Sequence, residues 1–349
     1  MGFRERTMAD PHDAAASPLR PEREAVLKAR IKDLKLHLAG TALERAIQQL
    51  YAELEARGLS FRPECYLSDQ WGCPSGVPVI GIPFYLADTR LHSIEQELGG
   101  DLETEREIMM YLRHEAGHAF NYAYKLFDTP EWVKLFGDYG KPYSDNYKPQ
   151  PFSRRYVVHI SGWYAQKHPD EDFAETFAVW LTPGLDWEKR YAGWGALKKL
   201  HYMDAVAKRL GRTPPVVQLN ERDLDVDEME ETVEAHYRER AREEHVELPF
   251  REQLDQDLYG LFEPPDGAPA SAEPFLRAER QALIQAVSQY SGLARPLVKA
   301  LVDHLIARAT ELRLTLHLDK TREYVLKLSS LVTALAMNHV YTDRFFETD

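Results

Sequence analysis

Residues 114–118 read H-E-A-G-H, a pattern whose residue types can bind a metal ion and activate water. Four residues make close to one helical turn, so His114 and His118 project from the same face of a helix and can bind one metal ion. Glu115 lies beside that face, where it can take a proton from water and act as the general base. H-E-x-x-H on a helix therefore predicts metal-assisted hydrolysis.

The motif requires a helix, and the segment from Leu102 to Phe127 has the composition of one. It contains no proline and a single glycine, Gly117. A glycine inside a helix costs about 1 kcal/mol, so Gly117 indicates that another element packs closely beside the metal-binding face. Apolar residues recur at helical spacing, namely Ile108, Met109, Leu112, Ala116, Ala119, Phe120 and Ala123.

Two histidines do not complete a catalytic zinc site, which needs three protein ligands and one open position. The metzincin pattern would place glycine at 121 and histidine at 124. This chain has Asn121 and Tyr124 instead, so that class is excluded. The third ligand must therefore come from another element.

A second helix is predicted over residues 168–181, with a proline in its first turn and a Pro-Gly pair after its end. Glu171 and Glu175 share one side of this helix at i, i+4, and either carboxylate could be the third ligand. Asp172 points about 100° away from Glu171 and is a weaker candidate. His168 stands just before the helix, where a capping role is favoured over ligation.

The two helices together resemble the gluzincins, the clan of thermolysin and anthrax lethal factor. In that clan the first acid of E-x-x-x-(D/E) ligates zinc and the second supports a metal-binding histidine. The resemblance implies that Glu171 is the third ligand and that Glu175 supports His114. H-E-x-G-H with H-P-x-E-D-F-A-E resembles still more closely a little-characterised bacterial family of zinc-binding metallopeptidases, from about Cys65 to Leu200. It implies a zincin-like core and zinc, although these ligand types would also accept cobalt or manganese.

Tyr164 lies seven residues before Glu171, the offset of the active-site tyrosine in the lethal-factor-like pattern. The resemblance implies that its phenol donates a hydrogen bond to the oxyanion or to the leaving amine. The alternative is an ordinary buried aromatic side chain in a loop that also contains Tyr156 and Trp163. His159 is the second candidate for the same role.

Residues 77–86 have the composition of a β-strand, but Pro78 and Pro83 restrict such a strand to the edge of a sheet. An exposed edge beside the metal-binding helix can pair with an extended peptide. The sequence is thus compatible with a strand that binds substrate in this way; the alternative is an edge strand that binds nothing, as most do.

Bulk properties limit the class of protein. The chain has 349 residues, of which 44% are hydrophobic, enough for two or three domains. No apolar run reaches the 18 residues of a membrane span, and the first residues lack a signal-peptide core, so a cytoplasmic location and no membrane partner are expected. Cys65 and Cys73 are too far apart for a C-x-x-C zinc ribbon and are expected to be reduced packing residues.

Negative charge is concentrated in one segment. Residues 221–263 contain 16 acidic and 5 basic side chains, a net −11 of the chain's −13. The remainder is near neutral and has no basic stripe, so nucleic acid is not an expected partner. The acidic segment is expected to be solvated helix; a bridging segment and a surface for a protein partner are the alternatives.

The predicted architecture is α+β and predominantly helical, a zincin-like core with helical additions. Its expected parts are a disordered tail (1–21), the metallopeptidase core with an N-terminal helical region (22–215), an acidic helical connecting segment (216–263), a linker (264–272) and a C-terminal helical domain (273–349). Three apolar stripes predict three helices in this last part, interrupted by an extended segment near 312–318. Docking on the core is expected for it; dimerisation and binding of a protein partner are the alternatives.

The sequence therefore predicts a gluzincin-like zinc metallopeptidase that hydrolyses peptide bonds in a peptide or protein substrate. Zinc-activated water would be the nucleophile and Glu115 the general base. Two alternatives stay open: a metal-containing binding or regulatory protein that cleaves nothing, and a hydrolase of a non-peptide amide. The presence of Glu115 argues against a purely structural site, which has no need of it.

Overall fold

The computed structural model describes residues 19–98, 102–143, 147–243, 246 and 248–346. These residues form mainly α-helices, together with two short two-stranded sheets. The predicted class, a predominantly helical α+β protein, is therefore confirmed.

The first nine helices belong to the N-terminal two thirds of the chain. They are α1 (Leu19–Lys28), α2 (Ala42–Ala56), α3 (Thr89–Glu97), α4 (Glu105–Ala123), α5 (Pro130–Phe136), α6 (Pro169–Leu181), α7 (Trp187–Arg190), α8 (Leu197–Leu210) and α9 (Val233–Glu243). Most of the predicted tail, residues 1–18, lies outside the described residues, whereas residues 19–21 are helical.

Helices α4 and α6 have clear local starts. Thr104 and Glu107 form a reciprocal capping box at the beginning of α4. Pro169 occupies the first turn of α6, where its missing N–H costs nothing, and the ring of His168 accepts a hydrogen bond from the Asp170 amide. These signals explain why α6 begins where the sequence predicts, while α4 is shorter than the apolar pattern of residues 102–127 suggested.

The first sheet pairs β1 (Glu64–Ser68) with β2 (Val79–Pro83) in parallel, from Glu64 opposite Val79 to Ser68 opposite Pro83. Every residue of β2 is buried. On its other side Gly81 exchanges two backbone hydrogen bonds with Gly72, at 2.8 and 3.3 Å. The strand is therefore present, but the prediction of an exposed edge is wrong because the chain itself covers that edge.

The C-terminal part is a helical bundle. It contains α10 (Asp255–Leu261), α11 (Ala272–Ser291), α12 (Arg295–Glu311) and α13 (Thr321–Thr342), with β3 (Ala270–Ser271) pairing antiparallel to β4 (Thr315–Leu316). The three long helices and the short extended segment agree with the prediction. In the described part of the acidic segment α9, α10 and a 3-10 turn are helical, so helix is present there in separate pieces; its role as a connecting segment stays a prediction.

Two large apolar clusters form most of the interior of the described residues, and a small third one joins Tyr66, Val77 and Val79. One spans Val26 to Tyr237 and surrounds α4 and α6; the other spans Phe250 to Phe345 within the C-terminal bundle. The bundle also contacts the loop that precedes α6: the Trp163 indole donates to the Gln289 carbonyl at 3.0 Å. The domain boundaries themselves stay a prediction.

Two further expectations concern membrane-spanning helices and the two cysteines. Among the described residues, no helix is long and apolar enough to cross a membrane. A cytoplasmic location stays a prediction. Cys65 and Cys73 are not joined by a disulfide, and the Cys73 thiol donates to the Glu115 carbonyl at 3.3 Å.

Candidate metal centre

Helices α4 and α6 bring three potential ligand atoms together in the interior. His114 Nε2 lies 3.1 Å from His118 Nε2 and 3.0 Å from Glu171 Oε2, and His118 Nε2 lies 3.2 Å from the same carboxylate oxygen. All three side chains are buried. Among the described residues they form a group able to hold a metal ion.

Each histidine uses its other ring nitrogen to contact a second carboxylate. His114 Nδ1 lies 3.0 Å from Glu175 Oε1, and His118 Nδ1 lies 2.9 Å from Asp170 Oδ2. Metal-binding histidines typically donate their second N–H to a carboxylate in this manner. The pairing of Glu175 with His114 is the one that the gluzincin resemblance implied.

These contacts test whether zinc fits. An ionised carboxylate only accepts hydrogen bonds, so each Nδ1 atom donates a proton to its carboxylate, and each Nε2 atom offers a lone pair once a metal ion takes the place of its proton. Two lone pairs and the Glu171 carboxylate then converge on one point, which a cation must fill to avoid repulsion. In tetrahedral zinc sites the ligand atoms lie about 3.3 Å apart, close to the separations found here. The residues fit zinc.

The electrostatics of the cluster agree with this conclusion. Burial alone would lower the pKa of His114, but hydrogen bonds to Glu171 and Glu175 raise it to about 9. Burial would raise the pKa of Glu171, yet the adjacent His118 and His114 hold it well below its ordinary value. The surrounding carboxylates therefore favour positive charge at the position where a metal ion would bind.

Gly117 permits the close approach of the two helices. A Cβ atom at this position would lie 2.7 Å from the Ala174 Cα and 3.0 Å from the Phe177 Cβ. Because the nearest atom belongs to the backbone of α6, it cannot move aside cheaply. The sequence predicted that another element packs closely against Gly117. That element is α6, the helix that contains Glu171.

Glu115 lies next to the ligands on α4 and is buried, with 7% of its surface exposed. Burial raises the pKa of its carboxyl group, and His114 and His118 oppose that shift only in part. A carboxylate whose pKa is raised holds a proton more readily than an ordinary one, as a general base requires. The position agrees with the predicted role.

Tyr164 lies at the start of a 3-10 turn immediately before α6. Its ring centroid is 5.6 Å from that of His114. Burial and the carboxylates of Glu171 and Glu115 raise the pKa of its phenol, so it stays protonated and can donate a hydrogen bond. Its hydroxyl makes no hydrogen bond to any other residue in the described part of the chain.

The competing candidates have other roles. His168 caps α6, and its second nitrogen contacts the Lys141 carbonyl at 2.6 Å. The His159 ring contacts the Met110 carbonyl, while the His159 and Ile160 amides donate to Glu175. Glu175 is therefore held by backbone donors and by a histidine, and it does not reach the point where the three ligand atoms meet.

Asp170 is the residue of this site that sequence reasoning missed. It is completely buried and accepts hydrogen bonds from Asn121 Nδ2 at 2.7 Å and from the Tyr122 hydroxyl at 2.5 Å, as well as from His118. Asn121 and Tyr122 lie three and four residues after His118, so the three share one side of α4. An acid one position before Glu171, with these three polar residues on one side of α4, is the available signal, but helical spacing does not distinguish that acid from an exposed first-turn acid.

Comparison with known proteins agrees with this geometry. Residues 87–191 match the model of the family described as "Putative zinc-binding metallo-peptidase", a segment somewhat shorter than one third of the chain that contains the whole metal centre. No curated protein and no solved structure matches the chain significantly. Over this segment the chain is thus similar to a zinc-binding metallopeptidase family, as its motifs predicted, and it has a site suited to that family's metal.

Proposed function

We propose that this protein is a gluzincin-like zinc metallopeptidase that hydrolyses peptide bonds in peptide or protein substrates. The observation that carries the proposal is the convergence of His114 Nε2, His118 Nε2 and Glu171 Oε2, each histidine being held by its own carboxylate. A structural zinc site normally has four protein ligands, whereas three leave one position for water or substrate. The family match supports the same class of activity.

The residues of the chain divide the chemistry between them. His114, His118 and Glu171 hold the metal, with Asp170 and Glu175 fixing the two imidazole rings. Zinc supplies Lewis acidity and lowers the pKa of water. Glu115 accepts a proton from the attacking water and returns it to the leaving amine.

Tyr164 completes the proposed arrangement. Its ring centroid lies 5.6 Å from that of His114, and its phenol donates to the substrate carbonyl oxygen as negative charge develops there. A donor fixed before the reaction stabilises the transition state more than the substrate, because the charge is present only in the former.

Metal content is the first test. Elemental mass spectrometry of the purified protein should give about one zinc per chain, as expected for a site of three buried ligands. His118→Ala and Glu171→Ala should lose the metal, whereas Asp186→Asn, at an exposed helix cap, should retain it. Full zinc content in both ligand variants would disprove the site.

Catalysis is tested separately with Glu115→Gln. The amide keeps the shape of the side chain but cannot take up a proton, so zinc should be retained and cleavage should fall by about 10²–10⁴-fold. A mixture of unstructured peptides, analysed by mass spectrometry, serves as the substrate. Cleavage unchanged in Glu115→Gln would refute the mechanism. A zinc-loaded wild-type protein that cleaves no peptide would favour a binding protein or a hydrolase of another amide.

A further inference from the structure

Gly162 and Trp163, the two residues before Tyr164, both have backbone angles in the left-handed region. Their φ angles are 84° and 61°. Glycine adopts such angles readily, but a bulky side chain such as that of tryptophan rarely does. A conformation of this kind persists only where the surrounding structure imposes it, so other contacts must hold Trp163 in place.

The Trp163 side chain contacts the C-terminal bundle and a neighbouring aromatic ring. It is 4% exposed, and its indole N–H donates to the Gln289 carbonyl of α11 at 3.0 Å. Its ring meets that of Phe152 edge to face, with 5.7 Å between the centroids. Trp163 belongs to none of the apolar clusters of the described residues. Its burial therefore fixes the loop to the bundle and is not part of the packing of either interior.

The loop around Tyr164 is also bound to an upstream segment of the chain. The Tyr147 hydroxyl donates to the Gly162 carbonyl at 3.0 Å. Gln150 and Gln166 exchange two hydrogen bonds, from the Gln150 amide to Gln166 Oε1 at 2.8 Å and from Gln166 Nε2 to the Gln150 carbonyl at 3.0 Å. The loop is thus linked to this segment both before and after Tyr164.

The upstream segment, residues 147–152, contacts the bundle as well. Lys148 Nζ lies 2.7 Å from Oδ1 of Asp343, which directly follows α13. A Cβ atom on Gly292, at the end of α11, would lie 3.0 Å from Pro151 Cγ. The bundle therefore contacts both the loop and the segment to which the loop is bound.

We propose that Trp163 is a positioning residue, through which the C-terminal bundle directs the Tyr164 phenol to the metal centre. This inference rests on the proposed function, because it gives the bundle a role in the reaction step attributed to Tyr164. The Trp163 indole donates to the backbone of α11, so Trp163 acts on the reaction only through its neighbour. While this contact holds the left-handed backbone, the Tyr164 ring stays 5.6 Å from that of His114.

A double-mutant cycle distinguishes positioning of the phenol from a general contribution to stability. Trp163→Ala should lower kcat of the zinc-loaded protein by about 10–10²-fold, because a catalytic group that is slightly misplaced loses most of its effect. KM and zinc content should change little. In the Tyr164→Phe background the same substitution should lower kcat no further, because the hydroxyl that Trp163 positions is already absent. Equal losses in the two backgrounds would overturn the proposal.

Trp187→Ala is the matched control. Trp187 is also a buried tryptophan, 8% exposed, but it packs within the apolar cluster that surrounds α4 and α6. Any loss of kcat that it causes should be the same with and without the Tyr164 hydroxyl, and a coupling as large as that of Trp163 would contradict a specific role for Trp163. If Trp163→Ala does not fold, Trp163→Phe replaces it in the cycle, because this variant keeps an aromatic ring and removes only the indole donor.

The position of the phenol can also be measured without a substrate. Cobalt(II) suits the same types of ligand as zinc, and its unpaired electrons shift the fluorine NMR signals of nearby fluorotyrosine side chains. The signal that is absent in Tyr164→Phe identifies Tyr164. Its shift should decrease in Trp163→Ala and stay unchanged in Trp187→Ala; an unchanged shift in Trp163→Ala would show that Trp163 does not position the phenol. A wild-type protein with the shifted signal that cleaves no peptide would refute the proposed function and not the placement of the phenol.

Discussion

Two regions of the molecule bury long helical faces: the pair α4 and α6, and the bundle of α11, α12 and α13. The two regions differ in the type of side chain that they bury. The first pair encloses two histidines and several carboxylates in contact with one another. In the bundle, Arg308 is the only buried charged side chain among the described residues, and it pairs with Asp255 at 2.6 Å. The remaining bundle interior is almost wholly apolar.

The two regions therefore contribute differently: the apolar bundle adds to stability, and the buried polar cluster is suited to binding a ligand. Apolar faces need only volume and pattern to pack, whereas each buried charge costs free energy unless it is paired. Such a cost is expected where a ligand provides part of the compensation, as a cation does between His114, His118 and Glu171. The bundle carries no comparable cluster in its described residues, and it contacts the loop before α6 through the hydrogen bond from Trp163 to the Gln289 carbonyl of α11.

Substitution within the bundle should therefore affect stability and leave the metal in place. Leu305 is 1% exposed, and Leu305→Ala should lower the free energy of unfolding by about 2–5 kcal/mol through the cavity it creates. Chemical denaturation measures this loss, and zinc content should not change. Leu326→Ala, at a position 61% exposed, is the matched control and should change stability by less than about 0.5 kcal/mol. Loss of zinc in Leu305→Ala alone would show that the two regions are not independent.

Tyr164→Phe should have the opposite result: it should lower the rate of catalysis and leave the stability of the protein unchanged. Removal of an oxyanion donor should lower kcat by about 10²–10³-fold while zinc and the unfolding midpoint stay unchanged. The control is Tyr156→Phe, because Tyr156 lies in the same loop but packs against Lys199, with the ammonium 4.5 Å from its ring centroid. An equal loss in both variants would assign the effect to the loop and not to the Tyr164 hydroxyl.

Glycine-to-alanine substitutions in α4 and in α10 test how closely the backbone of each helix packs against its neighbours. Gly117→Ala places a Cβ 2.7 Å from the Ala174 Cα and should destabilise the protein by about 1–3 kcal/mol, with zinc affinity reduced as the helices separate. Gly260→Ala in α10 meets no atom within 4 Å and should be neutral or stabilising by up to about 1 kcal/mol. Thermal unfolding with and without chelator distinguishes the two results. A Gly117→Ala protein as stable as wild type would contradict the close packing of α4 on α6.

The sequence predicts those parts of the site that local rules determine. Proline in the first turn defines the start of α6, and the i, i+4 spacing of Glu171 and Glu175 gives them a common side. The contact of Glu175 with His114 came from family resemblance, since its distance in sequence is too great for any local rule. Asp170 was missed because its contact with His118 depends on how the two helices cross.

The covered edge of β2 is a second example of a long-range contact. Its prolines correctly predict an edge strand, since proline cannot complete a ladder. Whether such an edge is exposed depends on the loop around Gly72, which the strand's own residues do not specify. The helical bundle, in contrast, was predictable because its apolar stripes recur at helical spacing.

Asp170 is the supporting carboxylate that only the structure identifies. Asp170→Asn keeps the size of the side chain but removes its charge, and the neutral amide is a weaker acceptor for the His118 N–H. Zinc affinity should fall by about 10–100-fold, the usual cost of such a change, while the protein remains folded. Competition with a chromogenic chelator measures the affinity, and circular dichroism monitors the fold.

Glu175→Gln is the matched variant on the other histidine. If Asp170 and Glu175 have equivalent roles, the two substitutions should weaken zinc binding to a similar degree, since each carboxylate lies about 3 Å from one Nδ1 atom, at 2.9 and 3.0 Å. If only Glu175→Gln weakens zinc binding, Asp170 serves only as an acceptor for Asn121 and Tyr122 of α4. Equal losses would instead make the metal centre a symmetrical arrangement in which α6 provides one supporting carboxylate for each histidine of α4.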